Sequence, residues 1–247
     1  YGSAEFIRGL ERYCLWIEDQ HLAEAQTIHP IAQRLRDVRN MRLNGGKTAR
    51  DIAERPHQFQ RMYFGKHSTL IVPSVSSETR AYLPCGYAPA GTIVSNLAFA
   101  LYDAPLWNMA LIASRLHLVW IGTVCGKMKT DFRYSNTLGW NTFPVPLLTE
   151  QNKADLTRCA EDILLAREAH FPATIADLYA PDAMPANLRR AHERNDEVLE
   201  RIYIGRRFRN DTERLEKLFD LYTKMTADTS KAAPKKPRGK RHERYPC

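Results

Sequence analysis

No stretch of this chain is long and apolar enough to span a bilayer. A spanning helix needs about 20 mostly apolar residues, and the most apolar stretch, residues 97–124, is interrupted by Asp103, Asn108, Arg115 and His117. The start has no charged segment leading into an apolar one, so no secretory signal is expected there. It opens on Tyr1 rather than Met and reads as a piece of a longer polypeptide. Cysteine is sparse: Cys14, Cys85, Cys125, Cys159 and Cys247 stand far apart, with no C-x-x-C pair. That spacing argues against a cysteine-bound zinc and fits reduced, mostly buried thiols in a cytoplasmic protein. Catalytic signatures are missing as well. No GxSxG, Walker A, HExxH or GxGxxG motif occurs. Gly45-Gly46-Lys47-Thr48 imitates the end of a phosphate-binding loop, but Asn44 stands nearest the place where the upstream glycine belongs. His57, His67, His117, His170 and His192 lack a second ligand at tight metal spacing, and His117 reads as a hydrogen-bonded core histidine.

What is present is globular in composition: 44% hydrophobic and 26% charged residues in 247, enough for one large domain or two modest ones. The formal net charge is +8, unevenly spread. Residues 1–147 carry a net +5, residues 148–230 a net −3, and residues 231–247 a net +6. Within the first part, residues 30–66 hold nine basic side chains against three acidic ones. This asymmetry predicts a polyanion-facing N-terminal region, an acidic helical region and a basic tail.

Residues 11–18 are a short apolar run that suits either a strand or a helix. Pro30 suits a helix start, and Ile31, Leu35 and Val38 give it one apolar stripe, with Arg36 and Arg39 beside it and Arg34 at its other edge. Asn44-Gly45-Gly46 ends that helix. Residues 69–73 and 92–95 read as buried strands, and residues 76–84 between them alternate polar and apolar character, as residues 76–82 would if extended. Pro105 is expected to open one long helix to about Trp120, broken by Gly122 and Gly126. Thr149 is an N-cap for a helix buried along Leu156, Cys159, Ala160, Ile163 and Leu164. Further helices are expected over 185–192 and 196–203 and after Asn210, where Glu213 completes a capping-box pattern and Leu215, Leu218, Phe219 and Tyr222 form a stripe. From residue 229 the Lys, Arg and Pro content predicts a disordered basic tail. The fold class expected is α+β: a mixed domain over 1–147, bounded by the Pro-rich segment 143–148, then an α-helical domain over 148–228 and the tail over 229–247.

Several segments occur together in a fixed order: GSAEFIRG at 2–9, RYCLWI at 12–17, LIVPSVSSETRAYLP at 70–84 and SRLHLVWIGTVCGKMKTDFRYS at 114–135. NTFPVP at 141–146, ADLYAPDAMPANLRRAHERND at 176–196 and RLEKLFDLY at 214–222 come after them. The series resembles the C-terminal third of MmeI-like (type IIL/IIG) restriction–modification enzymes, which join a DNA methyltransferase to an endonuclease. The resemblance implies a target recognition domain followed by a small helical domain, with double-stranded DNA as partner. It also implies an upstream methyltransferase domain of the same polypeptide, which holds S-adenosylmethionine and an NPPY/F loop for adenine-N6 methylation. Neither that loop nor a cofactor glycine motif occurs here. No cofactor or metal is therefore expected in this chain.

Glu78-x-Arg80 is the leading base-reading pair. Two residues apart on an extended strand, the side chains share one face about 6–7 Å apart. Arg matches guanine O6 and N7, and a carboxylate accepts from cytosine N4. The resemblance implies that this E-x-R, or its charge-swapped form, selects a base pair; the bland alternative is a surface ion pair. Lys127, Lys129, Arg133, Tyr134 and Ser135, with Asn136 beside them, suit phosphate and sugar contacts, as do Arg36 and Arg39 and, less well placed, Arg42. Asn108, Arg115 and the four tryptophans read as structural. Two other readings remain open: an RNA-binding or nonspecific nucleic-acid-binding protein driven by its tail, and a cytosolic hydrolase using Cys85 with His67, or a carboxylate such as Asp131 or Asp177.

Overall fold

The computed structural model describes the backbone of residues 1–232 and the side chains of residues 1–227. In its first half the elements are α1 (Ser3–Arg8), α2 (Leu22–Thr27), α3 (His29–Leu43) and α4 (Lys47–Arg50), then β1 (Ser68–Pro73), β2 (Val75–Ser76), β3 (Gly86–Pro89) and β4 (Ala98–Tyr102). There follow α5 (Trp107–Ile112), α6 (Arg115–Val124), β5 (Lys127–Met128) and β6 (Asp131–Arg133). Helices α7 (Glu150–Glu168), α8 (Ile175–Leu178), α9 (Ala186–Ile204) and α10 (Asp211–Ala232) complete the order. The expected α+β class holds. No helix among the described residues is long and apolar enough to cross a membrane.

The chain divides into two compact units that interleave along the sequence. The first comprises residues 1–74, 84–104 and 171–178. Its antiparallel sheet runs β3-β1-β4, with Leu70 facing Tyr87 on one side and Leu101 on the other. As the central strand, β1 is buried from Thr69 to Pro73, so its sequence is continuously apolar after that threonine rather than alternating. Pro30 occupies the first turn of α3, and the stripe below it packs Leu35 with Ile17 and Ala25. Residues 10–18 form neither helix nor strand, and Trp16 stacks edge-on against Phe64 at 5.4 Å. The strand expected over 92–95 is irregular instead; the pairing strand is β4, a few residues later, where AFALY matches the register of β1. Gly65 is buried, and a Cβ there would run into the Ser68 carbonyl. Gly65→Ala is therefore expected to destabilise the fold by about 1–3 kcal/mol in urea titration; an unchanged midpoint would contradict this packing.

The second unit holds residues 75–83, 105–170 and 179 onward. Its small sheet runs β2-β6-β5, and α5, α6, α7, α9 and α10 surround a core that includes Leu111, Ile112, Trp120, Leu156, Ile163, Leu199 and Leu218. Each such side chain contributes roughly 1.5–3 kcal/mol by leaving water. The expected single helix over 105–120 is two: Ser114 interrupts it, and its hydroxyl caps α6 by accepting from His117 N. Gly122 does not end α6, which continues to Val124; a Cβ at Gly122 would lie 3.1 Å from Phe132 Cε1, so the glycine admits the β5–β6 hairpin. Thr149 caps α7 by a reciprocal pair of bonds with Asn152. The two helices expected over 185–203 are one, α9, because Asn195 and Asp196 commit their polar groups to distant neighbours rather than to breaking the helix. Asn210 Oδ1 accepts from Glu213 N at the start of α10, while the Glu213 carboxylate turns to Arg206 and Arg209. Helix α10 continues through residues 229–232, where composition alone predicts the start of the tail; the rest of that tail lies outside the described residues.

Candidate nucleic-acid interface

Pro73 closes β1, and the chain re-enters a sheet for two residues as β2, where Val75 pairs with Arg133 and Ser76 with Phe132. The next residues are not extended, as the alternation of residues 76–82 suggests, but turned. Arg80 N donates to Ser77 O at 3.2 Å, and the Ser77 and Thr79 hydroxyls lie 3.0 Å apart. Short hydroxyl side chains offer the backbone local partners that compete with a ladder. Glu78 and Arg80 therefore project from a tight turn rather than from one strand face.

Glu78 is exposed, and its Oε2 accepts from Lys127 Nζ at 3.2 Å. With both side chains more than one-third exposed, this pair contributes about 0–1 kcal/mol. It orients the carboxylate without locking it. Arg80 is half-buried, and its Nε has no hydrogen-bond partner among the described residues. Burial lowers its pKa, and the charge of Asp131 on β6 works in the opposite direction. Asp131 thus serves as a neighbour of the arginine.

Lys129 sits at the tip of the β5–β6 hairpin with φ 58°, the left-handed region that two-residue hairpin turns require. Arg133 is exposed on β6 and alternates with Phe132, so it leaves the sheet on the opposite face. Glu78, Arg80, Lys127, Lys129 and Arg133 are brought to this one small sheet and its turns. Tyr134 and Ser135 are not available in the same way. Tyr134 is buried with its hydroxyl 3.0 Å from His117 Nε2, and Ser135 Oγ caps the next turn by accepting from Leu138 N. The strand alternation that exposes Arg133 turns Tyr134 inward. In the other unit, Arg36 donates to Gln33 and Arg39 pairs with Glu54 at 2.6 Å, both on the solvent side of α3. Arg42 donates to the carbonyls of Ile52, Arg55 and Gln58, a structural task.

Behind the turn lies a polar cluster that the sequence does not signal. Tyr82 stacks on His192 of α9 with centroids 4.1 Å apart, and its hydroxyl donates to Asp196 Oδ2 at 2.9 Å. Asp196 Oδ1 accepts from Arg115 N at 2.7 Å. Burial raises Asp196 to about 6, against the lowering effect of those two bonds. Burial also depresses His117 and His192 to about 3. Asn108 bonds the Pro105 carbonyl and Arg115 pairs with Asp211, both within the fold.

Among the described residues, the hydrolytic alternatives find no constellation. Cys85 is buried while His67 is exposed, and Asp177 is engaged at the start of α8, where Thr174 caps the helix and the Asp177 carboxylate accepts from the Thr174 N–H and hydroxyl. Among the described residues, no group of three or more His, Cys, Asp or Glu side chains is arranged to hold a metal ion.

A mixed α+β fold presenting basic turns from a small sheet has its counterpart among DNA-reading proteins. The chain belongs to the MmeI family, matching the MmeI target recognition domain over residues 1–147 and the MmeI C-terminal domain over residues 148–230. It is similar to DNA methyltransferase A of Bacillus subtilis (strain 168), with 40% identity over 226 residues, 91% of this chain and 26% of that protein. It spans about a quarter of that relative's length. The type IIL restriction–modification enzyme MmeI, solved in complex with DNA, superposes with a TM-score of 0.87 at 30% identity, covering 92% of this chain and 30% of that one.

Proposed function

We propose that this chain is the sequence-reading part of a restriction–modification DNA methyltransferase and binds double-stranded DNA. The observation that carries the reading is the turn holding the exposed Glu78 and the half-buried Arg80, set beside the Lys127–Arg133 hairpin in a chain of the MmeI family. Residues 1–147 are the reader and 148–228 the helical domain that supports it. Arg80 offers its guanidinium to guanine, and Glu78 accepts from the amino group of the paired cytosine. Lys129 and Arg133, together with Arg36 and Arg39, meet phosphates, which fix register without carrying sequence. Lys127 releases Glu78 as the base edge arrives, at a cost of about 0–1 kcal/mol for an exposed pair.

Methyl transfer belongs, in this proposal, to an upstream domain of the same polypeptide that takes S-adenosylmethionine and methylates adenine at N6 in the cytoplasm. The described residues of this chain do not fit that cofactor. Strand β4 passes into α5 through residues 103–106, which hold no glycine, and a nucleotide-type cofactor needs close backbone approach at such a turn. No methyl-transfer step runs through this chain.

Selection from a random duplex pool tests the reading: the chain is expected to enrich one defined sequence. Enrichment of no sequence, with binding that disappears when residues 231–247 are removed, would favour nonspecific capture by the tail. Those residues carry a net +6 and release counterions wherever they meet phosphate. Their deletion is expected to lower affinity for every duplex similarly and to flatten the salt dependence. Selective loss at one sequence would show instead that the tail reads bases.

A further inference from the structure

The turn that carries Glu78 and Arg80 is clamped at both ends. Upstream, Ser76 is buried and laddered to Phe132 of β6. Downstream, Tyr82 is buried two residues after Arg80 and fastened to α9 by both its ring and its hydroxyl. Five residues, 77–81, bridge two fixed points, and a short bridge between fixed points has few conformations.

The downstream clamp is itself braced. His192 Nδ1 lies 3.2 Å from the Ala113 carbonyl, which only accepts, so this nitrogen carries the proton. Nε2 is then the acceptor and takes the Tyr179 hydroxyl at 2.6 Å. Tyr179, whose hydroxyl donates to His192, accepts from Arg167 Nε at 2.9 Å. A single donor direction thus runs from Arg167 through Tyr179 and His192 to Ala113, and the imidazole plane under Tyr82 is fixed at an interplanar angle of 15°. Asp196 is held separately by Arg115 N at the start of α6. A side chain held by several independent partners cannot drift with the loop it anchors.

We infer that Tyr82, His192 and Asp196 are positioning residues for base reading: helix α9, within the region matching the C-terminal domain, holds the Glu78–Arg80 turn in its reading geometry through Tyr82. The inference rests on the proposed reading of DNA by Glu78 and Arg80. Its chemical content is that discrimination at one base pair depends on a contact that touches no DNA. Preorganisation lowers the ordering needed on binding and so favours the partner that fits the held geometry.

The test is selection from the random duplex pool by the 247-residue chain and its variants, with circular dichroism to show that each is folded. Tyr82→Phe keeps the ring on His192 and removes the hydroxyl. It is expected to lower preference about fivefold, the worth of one buried hydrogen bond, at the base pair whose identity changes in the Glu78→Lys/Arg80→Asp exchange. Affinity for an unrelated duplex should stay unchanged. Ala81→Gly leaves every anchor in place and loosens the link to Arg80; it is expected to lower the same preference about two- to fivefold. An unaltered preference in both Tyr82→Phe and Ala81→Gly overturns the inference, as does a uniform loss at every position. If the Glu78/Arg80 exchange leaves the selected sequence unchanged, the reading of DNA by this turn fails first, and the inference falls with it.

Discussion

Exchanging Glu78 for Lys and Arg80 for Asp is expected to reverse the orientation of one preferred G·C pair. The expectation follows from hydrogen-bond polarity. Guanine presents two acceptors in the major groove and cytosine one donor, so moving the donor side chain to the other position asks for guanine on the other strand. The exchange leaves the net charge of the pair at zero, and attraction to the backbone should barely change. A bidentate contact discriminates by about 1–3 kcal/mol, so each single substitution should lose the old preference without acquiring the new one. The neighbours add a refinement. The Glu78→Lys change sets a second ammonium against Lys127, and Arg80→Asp sets a second carboxylate near Asp131, where the native pairs are favourable. Adding Lys127→Glu should therefore restore the surface pair with residue 78 and raise the urea midpoint of the exchanged chain by the worth of an exposed pair, about 0–1 kcal/mol, while leaving its new preference intact. Sequencing of the selected duplexes decides the matter, and a preferred sequence identical to that of the native chain would remove these residues from base recognition.

Acid is expected to destabilise this protein from about pH 6.5 downward. His117 and His192 have folded pKa values of about 3, set by burial in both cases and, for His192, also by the Arg167 charge. In the unfolded chain each titrates near 6.5. Between those values the unfolded state binds more protons, so stability rises with pH; it is fully present above 6.5 and lost as pH falls toward 3. Asp196 has the opposite sign. Its folded pKa, raised to about 6 by burial, makes the folded state the better proton binder between about 4 and 6, and its contribution fades as pH rises through that window. Between about pH 6 and 5, above the range in which the depressed carboxylates titrate, two protons against one leave a net slope of about 1.4 kcal/mol per pH unit. Urea midpoints across that range measure it. His117→Gln, which can still meet the Tyr134 hydroxyl, should nearly flatten the slope, and a slope unaffected by that substitution would place the acid sensitivity elsewhere.

Elements whose stability is local were legible in the sequence. Pro30 and its stripe, the continuous apolar run of β1 and the Thr149 cap each state their structure within a few residues. The misplacements have two causes, a local side-chain cap or turn that competes with the regular pattern, and a tertiary partner that the local pattern cannot reveal. Ser114 looks like an ordinary member of an apolar helix until its hydroxyl is seen to cap α6. Asn195 and Asp196 look like a break until their side chains reach the Ala110 carbonyl and Arg115 N, both more than 80 residues away in sequence. The β-branched residues of 92–95 look like a strand, yet β1 pairs instead with the following segment, which has the matching register. The candidate site divides the same way. Glu78 and Arg80 stand out by residue type and spacing. Their neighbours Lys127 and Asp131 lie about fifty residues on, and the anchor beneath Tyr82 more than a hundred. Tyr134 groups with its basic neighbours by residue type alone, and only the alternation of side chains along and just past β6 separates it from Arg133.

The interleaving of the two compact units bears on how specificity is inherited. A recombination event joining residues 1–147 of one such protein to a foreign remainder would leave Trp120 without Phe219 and Tyr222, the Ala113 carbonyl without His192, and Tyr82 without Asp196. Such a hybrid begins with an open core, and one buried side chain is worth a sizeable fraction of a domain's total stability. The turn at residues 77–81 escapes that penalty, because its two ends are fixed from outside it. Drift in recognition among relatives should therefore proceed by point changes within that turn and on the facing hairpin, while residues 1–147 and the helical domain after them pass from ancestor to descendant as one linked block.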